Sequence, residues 1–215
     1  MRTVIISGGN IEEEFAVKFL KSMVFSAIIG VDSGLEFLKK QNIYPTHVIG
    51  DFDSLSQETY RYYKENANCI WKELVPEKDE TDTQAAITWA LELHSTEIWI
   101  LGGIGSRIDH LLGNIQILQI PLKRKVPCFL VDSHNKICLL DKGISIKKME
   151  QYGKFVSLLP LTTQVEGLTL DGFKYPLYKH TLTSDNALGV SNEILENVAE
   201  ITFEKGILIV IQSKD

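Results

Sequence analysis

Up to about residue 130, short apolar runs alternate with longer segments whose apolar positions recur at helical spacing. Val4-Ile5-Ile6, Ala27 to Val31, Thr46 to Ile49, Cys69-Ile70-Trp71, Ile98 to Leu101 and Pro127 to Val131 are short, apolar and closed by turn residues, and predict buried strands. Between them, helices are predicted over Ile11 to Lys21, with Phe15, Phe19 and Leu20 on one face, and over Leu35 to Gln41 and Ser56 to Asn66. Two more are predicted over Ala85 to His94 and from the Arg107 region to about Gln119. Alternating strand and helix imply a mostly parallel sheet covered by helices on both faces.

The pattern changes after Pro121. From about Lys136, turn signals at Asp132-Ser133-His134-Asn135, Asp141-Lys142-Gly143, Asp171-Gly172 and Glu204-Lys205-Gly206 punctuate short strands. Phe155 to Leu159, Val198 to Phe203 and Ile207 to Ile211 are the clearest of these, and few segments keep a helical period. The fold class expected is therefore α/β: a Rossmann-like, mostly parallel sheet domain over residues 1–133, followed by an antiparallel β-sandwich domain over 134–215.

Composition narrows the function classes. A net charge of −6 argues against nucleic acid as a partner, because phosphate neutralisation needs a basic surface. No apolar run approaches the ~20 residues that a membrane-spanning helix requires, and the first apolar stretch is too short for a signal peptide. Cys69, Cys128 and Cys138 are odd in number and widely spaced, which suggests neither a disulfide framework nor a zinc site, and a cytoplasmic location is expected.

Ligands of open α/β sheets bind outside the carboxyl ends of the strands. Here those ends carry Gly8-Gly9-Asn10, Asp32, Asp51 with Asp53, Asp79 with Asp82, and Arg107 with Asp109. In Gly50-Asp51-Phe52-Asp53-Ser54, extended backbone would point both acids the same way, and a hard cation such as Mg²⁺ would relieve their repulsion. The same residues also read as turn and cap chemistry, with Ser54-x-x-Gln57 as a capping box. Gly8-Gly9 either admits a phosphate to backbone N–H groups or makes a tight turn, and Thr81 or Asp82 caps the next helix. Arg107 either clamps phosphate or pairs locally with Asp109. No Walker A sequence occurs, and Gly102-x-x-Gly105 opens no dinucleotide fingerprint. Several acids with one arginine suit phosphoryl transfer, which needs positioning and charge neutralisation more than covalent help. Taken alone, Leu188 to Glu193 reads as a turn.

In order along the chain, four stretches resemble the thiamine pyrophosphokinase (thiamine diphosphokinase) family. They are Gly50-Asp51-Phe52-Asp53-Ser54, Lys78-Asp79-Glu80-Thr81-Asp82, Gly102-Gly103-Ile104-Gly105-Ser106-Arg107-Ile108-Asp109-His110 and Gly189-Val190-Ser191-Asn192-Glu193. The resemblance implies transfer of the terminal pyrophosphate of ATP to the hydroxyethyl group of thiamine, giving thiamine diphosphate and AMP, with Mg²⁺ required. It also implies an ATP- and Mg²⁺-binding α/β domain, a thiamine-binding sandwich, and a homodimer with thiamine near the subunit interface. Carried over residue by residue, the catalytic set is Asp51, Asp53, Asp79, Asp82, Arg107 and Asp109, with Asp51, Asp53 and Asp79 as metal ligands. ATP falls to Gly9, Asn10, Asp32, Ser33, Gln84, Gly103 and Arg107, and thiamine to Ser191 and Asn192. Two departures stand out: Ser106 occupies a position that is often glycine, and Trp71, Trp89 and Trp99 all lie in the first half. Stacking on thiamine would then pass to Tyr175 or Tyr178. The rival readings are a pyrophosphokinase for another hydroxymethyl heterocycle such as a pterin, a metal-dependent nucleotide phosphohydrolase, and a catalytically silent sensor.

Overall fold

The structure, a computed structural model, describes residues 1–75 and 79–215, so Lys78 of the second motif lies outside the described residues. The chain divides into two units, Met1–Ser133 and His134–Asp215.

In the first unit, strands and helices follow one another as β1 (Arg2–Ile6), α1 (Glu13–Ser22), β2 (Ala27–Val31), α2 (Gly34–Lys40), β3 (His47–Gly50) and α3 (Gln57–Asn66). They continue as β4 (Ile70–Glu73), α4 (Asp82–Glu92), β5 (Glu97–Leu101), α5 (Ile108–Ile117), α6 (Gln119–Lys123) and β6 (Cys128–Val131). The strands order as β4-β3-β2-β1-β5-β6, and every pairing is parallel. Helices cover both faces of such a sheet, which is why its central strands are apolar on consecutive residues rather than alternate ones. Val4, Ile5, Ile6, Ile98 and Ile100 are accordingly sealed from solvent. From β1 the chain steps outward to β4, then returns to place β5 on the opposite side of β1. The loops after β1 and β5 therefore diverge, and a crevice opens at this switch in strand order.

Three local details differ from expectation. Ser56, not Ser54, caps α3: its hydroxyl accepts the Thr59 N–H at 3.2 Å, and Ser54 stays in the preceding turn. Helix α4 starts three residues early, at Asp82, because Thr81 accepts the Gln84 N–H at 3.2 Å. The short helix α6 had no clear signal, since it contains Pro121; proline is tolerated there because N–H groups of a first turn have no helical partner anyway.

Apart from a single 3-10 turn at Lys148–Glu150, the second unit is built of β-strands. Its strands are β7 (Asn135–Leu140), β8 (Ile144–Lys147), β9 (Phe155–Pro160), β10 (Gln164–Asp171), β11 (Leu177–Thr183), β12 (Asn192–Glu193), β13 (Val198–Thr202) and β14 (Leu208–Ser213). They pair antiparallel in two sets, β12-β9-β14-β7 and β11-β10-β13-β8. Burial alternates as a half-buried strand requires: Ala199 and Ile201 point inward while Val198, Glu200 and Thr202 face solvent. Among the described residues, no helix is long and apolar enough to cross a membrane.

Candidate active site

The crevice at the strand switch is a cleft of about 420 Å³. Its floor is glycine because two loops must touch: the Gly9 N–H donates to the Gly102 carbonyl at 3.1 Å, and a Cβ on Gly9 would come within 2.3 Å of that oxygen. Gly102 itself has φ +73°, and a Cβ there would meet the Ser7 carbonyl at 2.3 Å. Beneath them the buried hydroxyls of Ser7 and Thr83 are hydrogen-bonded at 2.6 Å, which ties the end of β1 to the first turn of α4. The N-termini of α4 and α5 carry Thr81, Asp82 and Arg107 to the rim. The positive dipole ends of these two helices make this rim favourable to phosphate.

Asp32 is the acid at the centre of the site. It follows β2 with φ +43°, and its Oδ1 accepts the Phe52 N–H at 3.3 Å. Burial first, then the neighbouring Asp82 carboxyl, which hydrogen-bonds to it, raise the Asp32 pKa to about 7, and Asp51 adds a smaller push. Asp82 is thus the close partner of Asp32, with Asp51 farther off. Gly50 is dictated by this arrangement: a Cβ on it would lie 1.7 Å from Asp32 Oδ1.

The raised Asp32 pKa has a consequence for stability. Above pH ~4 an unfolded aspartate releases the proton that the folded protein keeps to about pH 7, so the folded state binds more protons across that window. Metal-free protein should therefore lose stability as pH rises from about 4 to 7, where the buried His47, whose pKa is lowered by desolvation, pulls the other way below its usual range. Asp32→Asn isolates the acid's share. In EDTA, melting curves from pH 5 to 8 should show the mutant gaining on the wild type as pH rises; a constant difference would mean that Asp32 ionises normally.

The turn after β3 is not extended. Phe52 has φ +61°, and the Asp53 N–H donates to Asp51 Oδ1 at 3.2 Å, closing an Asx turn. The expectation that Asp51 and Asp53 project together because the backbone is extended is thus corrected: Asp51 is half-buried and close to Asp32, while Asp53 is exposed. Arg107 forms a two-point pair with Asp109, Nη2–Oδ2 at 2.6 Å and Nε–Oδ1 at 3.2 Å, and both side chains are exposed. The guanidinium holds the Asp109 carboxyl down to about 2.

Gly9, Asn10, Asp32, Ser33, Asp82, Gly103 and Arg107 line the cleft together. Asp79 is exposed at a bend beside the undescribed residues, Asp53 faces solvent, and Gln84 contributes a capped backbone N–H; these three, Asp51 and Asp109 do not line the cleft. Among the described residues no three potential ligands are gathered closely enough to hold a metal ion by themselves. Ser7, Ser54, Thr83, His110 and Asn114 also line the cleft and were not assigned to the site from the sequence. His110 and Asn114 follow Arg107 at i+3 and i+7, one face of a helix, and that spacing was the available signal. Asn114 Nδ2 donates to the Gly103 carbonyl at 2.7 Å and braces the glycine loop.

In the second unit, Asn192 is buried and engaged with its own chain. Its Oδ1 accepts the N–H groups of Tyr175 (3.0 Å) and Glu193 (2.9 Å), and its Nδ2 donates to the Tyr175 carbonyl at 2.8 Å. Ser191 is exposed with φ +59°, and its N–H donates to Ser157 Oγ at 2.9 Å. Tyr175 and Tyr178 are both exposed, whereas Trp71, Trp89 and Trp99 pack within the first unit.

Fold and cleft define an α/β protein suited to a polyphosphate ligand, followed by an all-β unit. Comparison with known proteins sharpens this. Residues 21–130 match the family model described as thiamin pyrophosphokinase, catalytic domain, and residues 143–208 match thiamin pyrophosphokinase, vitamin B1 binding domain. A thiamine pyrophosphokinase of Bacillus subtilis is 37% identical over 187 residues, 87% of either chain. A crystal structure of the Bacillus subtilis thiamine pyrophosphokinase superposes with a TM-score of 0.89 at 34% identity, covering all of both chains. The Geobacillus thermodenitrificans thiamin pyrophosphokinase gives 0.87 at 29% identity, covering 100% of this chain and 98% of the other. The chain belongs to the thiamine pyrophosphokinase family.

Proposed function

We propose that the protein transfers the terminal pyrophosphate of ATP to the hydroxyl of thiamine, releasing thiamine diphosphate and AMP. The observation that carries this reading is the cleft at the strand switch, where Asp32 and Asp82 face each other beside glycine loops and Arg107, with Asp51 next to them on the following strand end. In the reaction the thiamine hydroxyl gives up its proton to solvent, its oxygen bonds to the β-phosphorus as the bridge to the α-phosphorus breaks, and AMP leaves with that bridging oxygen. Gly9, Asn10, Ser33 and Gly103 shape the nucleotide pocket, Gln84 supports it from α4, and Arg107 turns from Asp109 to the phosphates. Asp51 and Asp53, with Asp79, would hold Mg²⁺, and Asp82 and Asp109 orient the polyphosphate and the arginine. Bound there, Mg²⁺ would neutralise phosphate oxygens and hold the transferring group. The acid-rich surroundings favour a cationic thiazolium.

In the second unit Ser191 contacts thiamine. Asn192 acts through Tyr175, whose backbone it fixes on both N–H and carbonyl sides, so that the exposed ring can stack on the vitamin. The working form is a homodimer in the cytoplasm, with thiamine taken near the subunit contact, and exposed Tyr175, Tyr178, Leu188 and Val190 support such a contact. Product analysis tests the reaction. Purified protein with ATP and Mg²⁺ should yield equal amounts of AMP and thiamine diphosphate only when thiamine is present. AMP or inorganic phosphate without thiamine would favour the phosphohydrolase reading instead.

A further inference from the structure

Phe52 stands between two carboxylates assigned to the reaction, yet has no reactive chemistry of its own. Its backbone sits at φ +61°, a region that glycine or asparagine enters readily and an aromatic residue rarely does. What seats it there is its ring. The ring centroid lies 5.3 Å from that of Trp71 and 5.8 Å from that of Tyr60, and those two rings are 5.4 Å apart. These tilted and edge-on contacts are the arrangements that aromatic quadrupoles favour. Lys64 closes the cluster, with Nζ 3.9 Å from the Trp71 centroid and 3.0 Å from Glu73. Tyr60 and Lys64 share a face of α3 at i and i+4, while Trp71 and Glu73 share a face of β4 at i and i+2. The socket is thus formed by the two elements that follow the turn. Backbone bonds hold the segment as well, Phe52 N–H to Asp32 Oδ1 within the turn and Ser56 N–H to Glu36 Oε1 at 2.9 Å beyond it.

We infer that Phe52 is a positioning residue: locked against Tyr60 and Trp71, it holds the left-handed turn that sets where Asp51 and Asp53 present their carboxylates. This rests on the reading above that those two acids serve the polyphosphate. A side chain that merely filled space would not need a disfavoured backbone; here the ring and the backbone angle together fix the turn between its two acids.

The test separates anchoring from strain. Phe52→Ala and Phe52→Gly both remove the ring, but glycine adopts φ +61° freely, so the glycine variant should melt above the alanine variant. Both should nevertheless lose about tenfold or more in kcat, with KM for thiamine within about twofold of wild type. Mn²⁺ titrated in the presence of α,β-methylene-ATP and followed by electron paramagnetic resonance should bind about tenfold more weakly in both. Trp71→Phe keeps a ring in the socket and should stay within about threefold of wild type on both readouts. If Phe52→Gly binds Mn²⁺ and turns over like wild type, or if activity simply follows melting temperature, the positioning role is overturned. Asp53→Asn serves as the reference. If it is inactive while Phe52→Gly is normal, this inference alone fails; if it is fully active, the reading of the carboxylates fails first.

Discussion

Replacing Asp51 by asparagine is expected to lower kcat by about 10³-fold with the fold intact, because several kcal/mol of charge stabilisation leave the transition state. Asparagine has the same shape and keeps an oxygen to accept the Asp53 N–H, so the Asx turn survives. What disappears is a negative charge beside Asp32. Losing it should leave stability unchanged or slightly raised in metal-free protein, since one source of repulsion is removed. The two readouts therefore move apart: turnover, measured as AMP release at saturating ATP and thiamine, collapses, while the melting curve in EDTA does not fall. A drop in both together would mean that the carboxylate is needed to build the turn rather than to use it. Turnover within tenfold of wild type would remove Asp51 from the reaction.

Much of this was legible in the sequence because strand and helix declare themselves by period. Buried parallel strands leave consecutive apolar residues, as at Val4-Ile5-Ile6, and the sandwich half leaves alternation, as at Val198 to Thr202. The residues at the strand ends were legible too, since acids and glycines repeated at the carboxyl ends of several strands of one sheet are hard to attribute to turn chemistry alone. Less legible was anything set by backbone angles that side-chain identity does not announce. Nothing about Phe52 signals φ +61°, so Asp51 and Asp53 read as an extended pair when they flank a turn. The cap of α3 slipped by two residues because Ser54-x-x-Gln57 fits the capping-box pattern, whereas Ser56, followed at the third position by Thr59, caps with its hydroxyl alone. Ser7 and Thr83 form a buried contact 76 residues apart, which no local pattern can show. The resemblance gives Asn192 a contact with thiamine, but no local pattern could show that its amide also fixes the backbone of Tyr175, a partner 17 residues away.

Gly50→Ala should be among the costliest substitutions in the α/β unit, losing about 2–4 kcal/mol of stability from backbone strain and a steric clash together. Two separate features forbid a side chain. The backbone has φ +152°, and a Cβ would lie 1.7 Å from Asp32 Oδ1 and 2.6 Å from its Cγ. Asp32 cannot simply swing aside, because its carboxyl is held by the Phe52 N–H and faces Asp82. Either the acid gives up those contacts or the end of β3 shifts; both displace Asp51, so turnover should fall on the order of 10²-fold as well. The two causes can be separated with a second substitution. Asp32→Gly removes the clashing oxygen and suits the φ of +43° at that position, leaving the strain at residue 50 untouched. In that background Gly50→Ala should cost at least about 1 kcal/mol less than in the wild type, a coupling measured by denaturant unfolding of the four proteins. Equal costs in the two backgrounds would show that the backbone angle alone requires glycine at position 50. A clear coupling would instead tie the glycine of this motif to the buried carboxylate on the neighbouring strand, and explain why the turn bearing Asp51 must begin with a residue that has no side chain.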